Sequence, residues 1–147
     1  MRLALVLAAA LFPAGPFFAT DQADVMAVAQ KFVDGFNSGD TKSALATCAE
    51  NAMIIDEFPP HAWTGCGAWA AAYDADAKKN GISDGVVTLG KPKHVDVSGD
   101  RAYAVFQADY AYKQKGKSIM ESGSIYTFAF QKSPSGWRIV GWTWAKY

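Results

Sequence analysis

Apolar residues recur along the first third of the chain at three- and four-residue intervals. Val25, Val28, Phe32 and Phe36 fall on one helical face and predict a first helix over about Asp21 to Ser38. Gly39 suits the position just past a helix end and Asp40 suits an N-cap, so a second short helix is expected from there to about Ala49. The run Ala52 to Ile55 reads as a strand and ends at Asp56. A Pro59-Pro60 corner follows, carrying His61 and Trp63. Gly65 then opens a third helix, over about Cys66 to Asn80, that stops at Gly81.

Beyond Gly85 the period changes from helical to alternating. Val86 to Leu89 is a short apolar run, Pro92 interrupts, and Lys93 to Val97 alternates with Val95 and Val97 on one side. Ser98-Gly99-Asp100 turns the chain into a long strand, Arg101 to Lys113. Gly116 turns it into Ser118 to Gln131, and Ser133-Pro134-Ser135-Gly136 into Trp137 to Trp144. Connections this short make neighbouring strands pair antiparallel. Three helices followed by an antiparallel sheet make an α+β fold, and if the sheet curls, the space beneath the helices becomes a cone with an internal pocket.

The 147 residues suit one domain with a sizeable core. A formal net charge of +0 offers no basic face for nucleic acid. Lys113, Lys115 and Lys117 around Gly116 read as a solvated hairpin tip. Residues 1–19 have the form of a signal peptide: Arg2, the apolar run Leu3 to Leu11, then Pro13, Gly15 and Pro16 before a cut after Ala19. The run is short for a stable membrane span. The domain is therefore expected over 20–147, in a periplasmic or secreted location. In an oxidising compartment Cys48 and Cys66 can pair; the alternative is two buried thiols.

Asp56 is the candidate for chemistry. A carboxylate at a strand end beside apolar walls is desolvated, which raises its pKa and makes it a usable base or a selective ligand contact. Its neighbour Glu57 is expected outward by strand alternation. His61 is a possible proton partner, since imidazole titrates nearest neutral pH. Trp63, Trp69, Phe106, Tyr110, Tyr126, Phe128 and Trp142 supply rings for a ligand pocket. The small residues Ala104, Ala108 and Ser124 suggest space left among them. No metal or cofactor is expected: Asp74 and Asp76 point about 200° apart on a helix, and there is no zinc-type cluster and no phosphate-binding glycine loop.

The order of elements, with FVDGFNSGD (Phe32 to Asp40), ATCAENAMIID (Ala46 to Asp56), the Gly65-to-Tyr73 helix start and GWRIVGWTW (Gly136 to Trp144), resembles the nuclear transport factor 2-like superfamily. The resemblance is to its SnoaL-like and ketosteroid isomerase-like branches and covers about Asp24 to Tyr147. It implies the cone fold and a homodimer formed through the outer face of the sheet. It places Asp56 at the proton-shuttling aspartate of the steroid isomerases and Tyr73 at a hydrogen-bonding tyrosine of the third helix. Phe32 stands where their oxyanion-binding tyrosine stands, Cys48 at a second network tyrosine, and Tyr126 near their protonated aspartate. The last-strand histidine of the cyclase and dehydratase branches has Thr143 or Trp142 in its place.

Two function classes follow. One is an exported module that binds a small apolar molecule around Asp56, with Phe32 among the lining rings. The other is a cofactor-free isomerase, dehydratase or cyclase in which Asp56, Tyr73 and His61 act on a small apolar or polycyclic substrate. The absent oxyanion tyrosine favours the first, because such donors contribute several kcal/mol to enolisation.

Overall fold

The computed structural model describes residues 17–146. The expected signal sequence falls on residues 1–16, which lie outside them, and on the first turn of the first helix. That helix, α1 (Phe17–Ser38), buries Val25 and Phe32 of the predicted face and half-buries Val28 and Phe36, while Ala29 and Val33 beside them are fully buried. Asp40 caps the short α2 (Thr41–Leu45) by accepting a 3.0 Å bond from the Ser43 amide. α2 ends earlier than its sequence suggests. Cys48 and Ala49 belong instead to β1 (Cys48–Ile55), which pairs in parallel with the last strand of the chain. A partner this remote in sequence leaves no local signal.

Past the Pro59-Pro60 corner, a three-residue strand β2 (Ala62–Thr64) folds back antiparallel on β1. α3 (Cys66–Asn80) starts after Gly65 and stops at Gly81, which takes the left-handed conformation (φ 67°) that a side chain disfavours. A Cys48–Cys66 disulfide joins the start of β1 to the start of α3.

The four remaining strands form an antiparallel meander: β3 (Ile82–Ser98), β4 (Arg101–Gln114), β5 (Lys117–Ser133) and β6 (Gly136–Ala145). The six-stranded sheet has the order β2-β1-β6-β5-β4-β3. Pro92, expected to divide two strands, lies within the single strand β3. β3 is at the sheet edge, where a residue without an N–H breaks no inter-strand bond, and the register shifts on either side of it. The fold class is thus as predicted, with helices on one face of a curled, unclosed sheet.

β4 and β5 pair across their buried faces. Ala104, Phe106 and Ala108 lie opposite Phe128, Tyr126 and Ser124, and all are buried. β6 departs from simple alternation. Val140 is an extra residue between the pairs Ala129–Gly141 and Phe130–Ile139, so Trp137 and Ile139 point inward before it and Trp142 after it. Neither parity of β6 faces out along its whole length. Asn37 at the end of α1 holds the edge strand, donating to the Val87 carbonyl at 2.8 Å and accepting from its amide at 2.7 Å. Among the described residues no helix is long and apolar enough to cross a membrane.

Candidate functional site

β1 ends at Ile55, and the chain turns at Asp56 into a corner closed by its own main chain. The Asp56 amide donates to the His61 carbonyl at 3.1 Å, and the His61 amide to the Phe58 carbonyl at 2.9 Å. This fixes the Asp56 carboxylate at the end of the helix–sheet interface. Its Oδ1 accepts the Glu57 amide at 2.7 Å, and its Oδ2 accepts the Trp69 indole N–H at 2.8 Å, from one turn inside α3. Burial pushes the carboxyl above its ordinary range, and the two donors only partly offset that.

The carboxylate borders a cavity of about 110 Å³. That is several times the roughly 10–15 Å³ that one water needs. Its walls are mainly aromatic. α1 supplies Phe32 and Phe36, and α3 supplies Trp69 and Tyr73. Tyr110 of β4, Tyr126 of β5, and Trp142 and Trp144 of β6 complete the sheet side. The rings hold one another: Trp69 meets Trp142 edge-on at 4.7 Å and stacks on Tyr73 at 5.5 Å. A second cavity, of about 250 Å³, lies toward α2 and shares Phe36, Trp69 and Tyr73 as a common wall.

Four polar groups on these walls stand out. The Tyr73 and Tyr110 hydroxyls share a short hydrogen bond, and burial raises the pKa of both. Gly85 makes room for it, since a Cβ there would lie 2.8 Å from the Tyr110 hydroxyl. Tyr126 is fully buried, which together with the nearby Asp56 charge drives its pKa far up. The Trp142 indole nitrogen is buried with no hydrogen-bond partner.

The mouth of the cavity is acidic. Glu57 is exposed, as expected, and also lines the cavity, because strand alternation stops at Ile55 and the corner re-aims the next side chain. Burial raises its pKa as well. Glu121 of β5 accepts from the Tyr112 hydroxyl at 2.9 Å and from Lys146 at 2.6 Å, while its second carboxylate oxygen is buried and unpaired. Lys146 also reaches Glu57, at 3.8 Å.

Of the residues singled out from sequence, Asp56, Phe32, Trp69, Tyr73, Tyr110, Tyr126 and Trp142 converge on this cavity. Trp63, Phe106 and Phe128 do not line it. Trp63 packs on Phe58 at 4.7 Å, and Phe106 and Phe128 fill the core edge to face. Ala104, Ala108 and Ser124 are likewise packed away from it. His61 is exposed, with its Nδ1 3.2 Å from the Asp56 main-chain oxygen rather than from the carboxylate. Glu57, Glu121, Tyr112 and Trp144 also line the cavity, and of these Glu57 and Glu121 carry no local sequence signal for it. Pairing of β4 with β5 sets Glu121 opposite Tyr110, while Tyr112 and Trp144 follow Tyr110 and Trp142 at the two-residue spacing of a strand. Among the described residues no group of three His, Cys, Asp or Glu is placed to hold a metal ion.

Comparison with known proteins places this geometry in a family. The SnoaL-like domain family matches residues 25–143, and the chain belongs to it. No curated protein sequence matches the chain. Among solved structures, a nuclear transport factor 2-like protein with a cystatin-like fold from Novosphingobium aromaticivorans is 21% identical. The match covers 88% of this chain and 84% of that one, with a TM-score of 0.71. A nuclear transport factor 2-like superfamily protein from Salmonella enterica serovar Typhimurium is 16% identical over 88% and 92% of the two chains, with a TM-score of 0.75. A ketosteroid isomerase-like protein from Erwinia carotovora atroseptica is 20% identical over 86% and 95%, with a TM-score of 0.64. At these identities the likeness is one of fold.

Proposed function

We propose that this SnoaL-like chain is an exported domain that binds a small, largely apolar molecule in the aromatic cavity, with Asp56 as its polar contact. The observation that carries the reading is the desolvated Asp56 carboxylate, held by Trp69 and Glu57 at the edge of a ring-lined space. Apolar walls with a few fixed polar groups are the usual make-up of a small-molecule site. The Cys48–Cys66 bond supports export, because disulfides persist in oxidising compartments.

A second reading has one observation in its favour. A carboxylate with a raised pKa beside the Tyr73–Tyr110 hydroxyl pair suits a general base acting with nearby O–H donors. That would make the domain a cofactor-free isomerase, dehydratase or cyclase. Against it, Phe32 lines the cavity without the hydroxyl that the steroid isomerases place there.

Asp56→Asn separates the two, because it keeps the shape and removes the charge. Small aromatic ligands are titrated against the parent and the variant by quenching of tryptophan fluorescence, with turnover assayed in parallel. The binding reading expects a change in affinity of about tenfold, or about 1.4 kcal/mol. Lost turnover with affinity retained would establish the enzyme instead. Affinity unchanged, with no turnover in either protein, would overturn both readings.

A further inference from the structure

We infer that the molecule this cavity takes is an organic cation: an ammonium group, protonated or quaternary, carried on an apolar body. The inference rests on the binding reading above and narrows it to a ligand class.

Charge is the first argument. Asp56, Glu57, Asp76 and Glu121 all line the cavity, and among the described residues no lysine, arginine or histidine does. Lys146 is the cation at the rim. It is half exposed and already engaged with Glu121 at 2.6 Å and Glu57 at 3.8 Å, so four carboxylates have one neighbouring ammonium to share. An anionic ligand would be repelled. A neutral one would desolvate these carboxylates further and compensate none of them.

The second argument is independent of the charge count. The Glu121 side chain is only 9% exposed, and its Oε2 is buried with no hydrogen-bond partner. Lys146 and Tyr112 both bind Oε1, so a cation in the adjacent space would set positive charge beside the oxygen they leave unpaired. Burial raises the pKa of Asp56, so its charge too is poorly compensated by water.

The walls decide what kind of cation. Trp69, Tyr73, Tyr110, Tyr126, Trp142 and Trp144 present rings to the space. A ring quadrupole attracts a bulky, weakly hydrated ammonium within about 6 Å of its centroid. A divalent metal ion would have to exchange its water shell for oxygen ligands that converge on one point. Among the described residues no three acidic, His or Cys side chains do so. Rings with carboxylates spread around them suit an alkylammonium or arylammonium group.

The test compares two probes of matched shape, phenyltrimethylammonium and tert-butylbenzene, which differ in charge and hardly in volume. Both are titrated into the purified chain by tryptophan fluorescence and calorimetry, then into Asp56→Asn and Glu121→Gln. The expected result is at least tenfold tighter binding of the cation. That preference should shrink in both variants and weaken as acid protonates the carboxylates. Equal or tighter binding of tert-butylbenzene would overturn the cation inference and leave the apolar pocket standing. Binding of neither probe would remove the pocket reading as well. The parent comparison needs no variant to fold, so it decides the question alone.

Discussion

At the scale of the residue, Asp56 combines a cost and a purpose. Its carboxylate sits where water is scarce, and the Trp69 and Glu57 donors hold it in place without fully compensating its charge. The consequence for stability has a definite sign. The folded pKa lies above the ordinary aspartate value of 3.8, so between the two the folded state binds more protons than the unfolded chain. Stability therefore falls as pH rises through that window, and the penalty is fully present above the folded pKa. Asp56→Asn has no charge to bury. In urea unfolding from mildly acid to neutral pH, the variant is expected to gain on the parent as pH rises and then to hold a constant difference. A difference independent of pH would mean that the Asp56 carboxylate is solvated. Asp56 was legible in the sequence because a strand-like run ends on it before a Pro-Pro corner. The place of Glu57 in the cavity wall was not, because alternation predicts direction only while the strand continues, and β1 stops one residue before Asp56.

At the scale of the element, signals carried by neighbours in sequence were readable and those set by distant pairing were not. The period of α1, the Asp40 cap and the Gly81 stop all arise within a few residues, and the structure has them where the pattern places them. The continuity of β3 through Pro92 depends on its being an edge strand, which only the sheet order decides. The bulge at Val140 is what turns both Ile139 and Trp142 inward, and nothing in the local sequence of β6 announces it. The cysteine pair lay between these cases, since the sequence left paired and free thiols open. The bond ties the first residue of β1 to the first of α3, the two elements that deliver Asp56 and Trp69 to each other. Its loss should therefore weaken both the fold and the site. A Cys48→Ser, Cys66→Ser double variant is expected to lose about 3 kcal/mol in denaturant unfolding, as loop closure of this length implies. Reductant should destabilise the parent by a similar amount and leave the double variant unchanged. Equal stability of parent and variant would show that the bond contributes nothing.

At the scale of the whole molecule, the curled sheet separates two surfaces of different use. Its inner face, with the helices, encloses the rings and the carboxylates. Its outer face is more apolar than solvent alone would favour. Register places Met53, Gly141, Ala129 and Tyr103 in one row across β1, β6, β5 and β4, and Ile55, Thr143, Thr127 and Val105 in the next. Met53 is 56% exposed, Ile55 55% and Tyr103 44%. Large exposed apolar side chains flanking small ones make a flat surface that another surface can cover, and such patches commonly mark contacts. We expect an isologous homodimer through this face, with the two-fold axis near its middle, so that a residue there approaches its own copy. Ala129, between Gly141 and Tyr103, is the place to test it. Ala129→Glu sets two like charges near one another across the axis while leaving the inner face untouched. Light scattering at micromolar concentration should give a dimer for the parent and a monomer for the variant. Thermal melting and ligand titration on the variant serve as the check that the fold and the cavity persist. A parent that is monomeric, or a variant that remains dimeric, would remove the outer face as the contact surface. Because the cavity opens on the opposite side of the sheet from Ala129, the variant's ligand affinity is expected to stay within about twofold of the parent's, or about 0.4 kcal/mol.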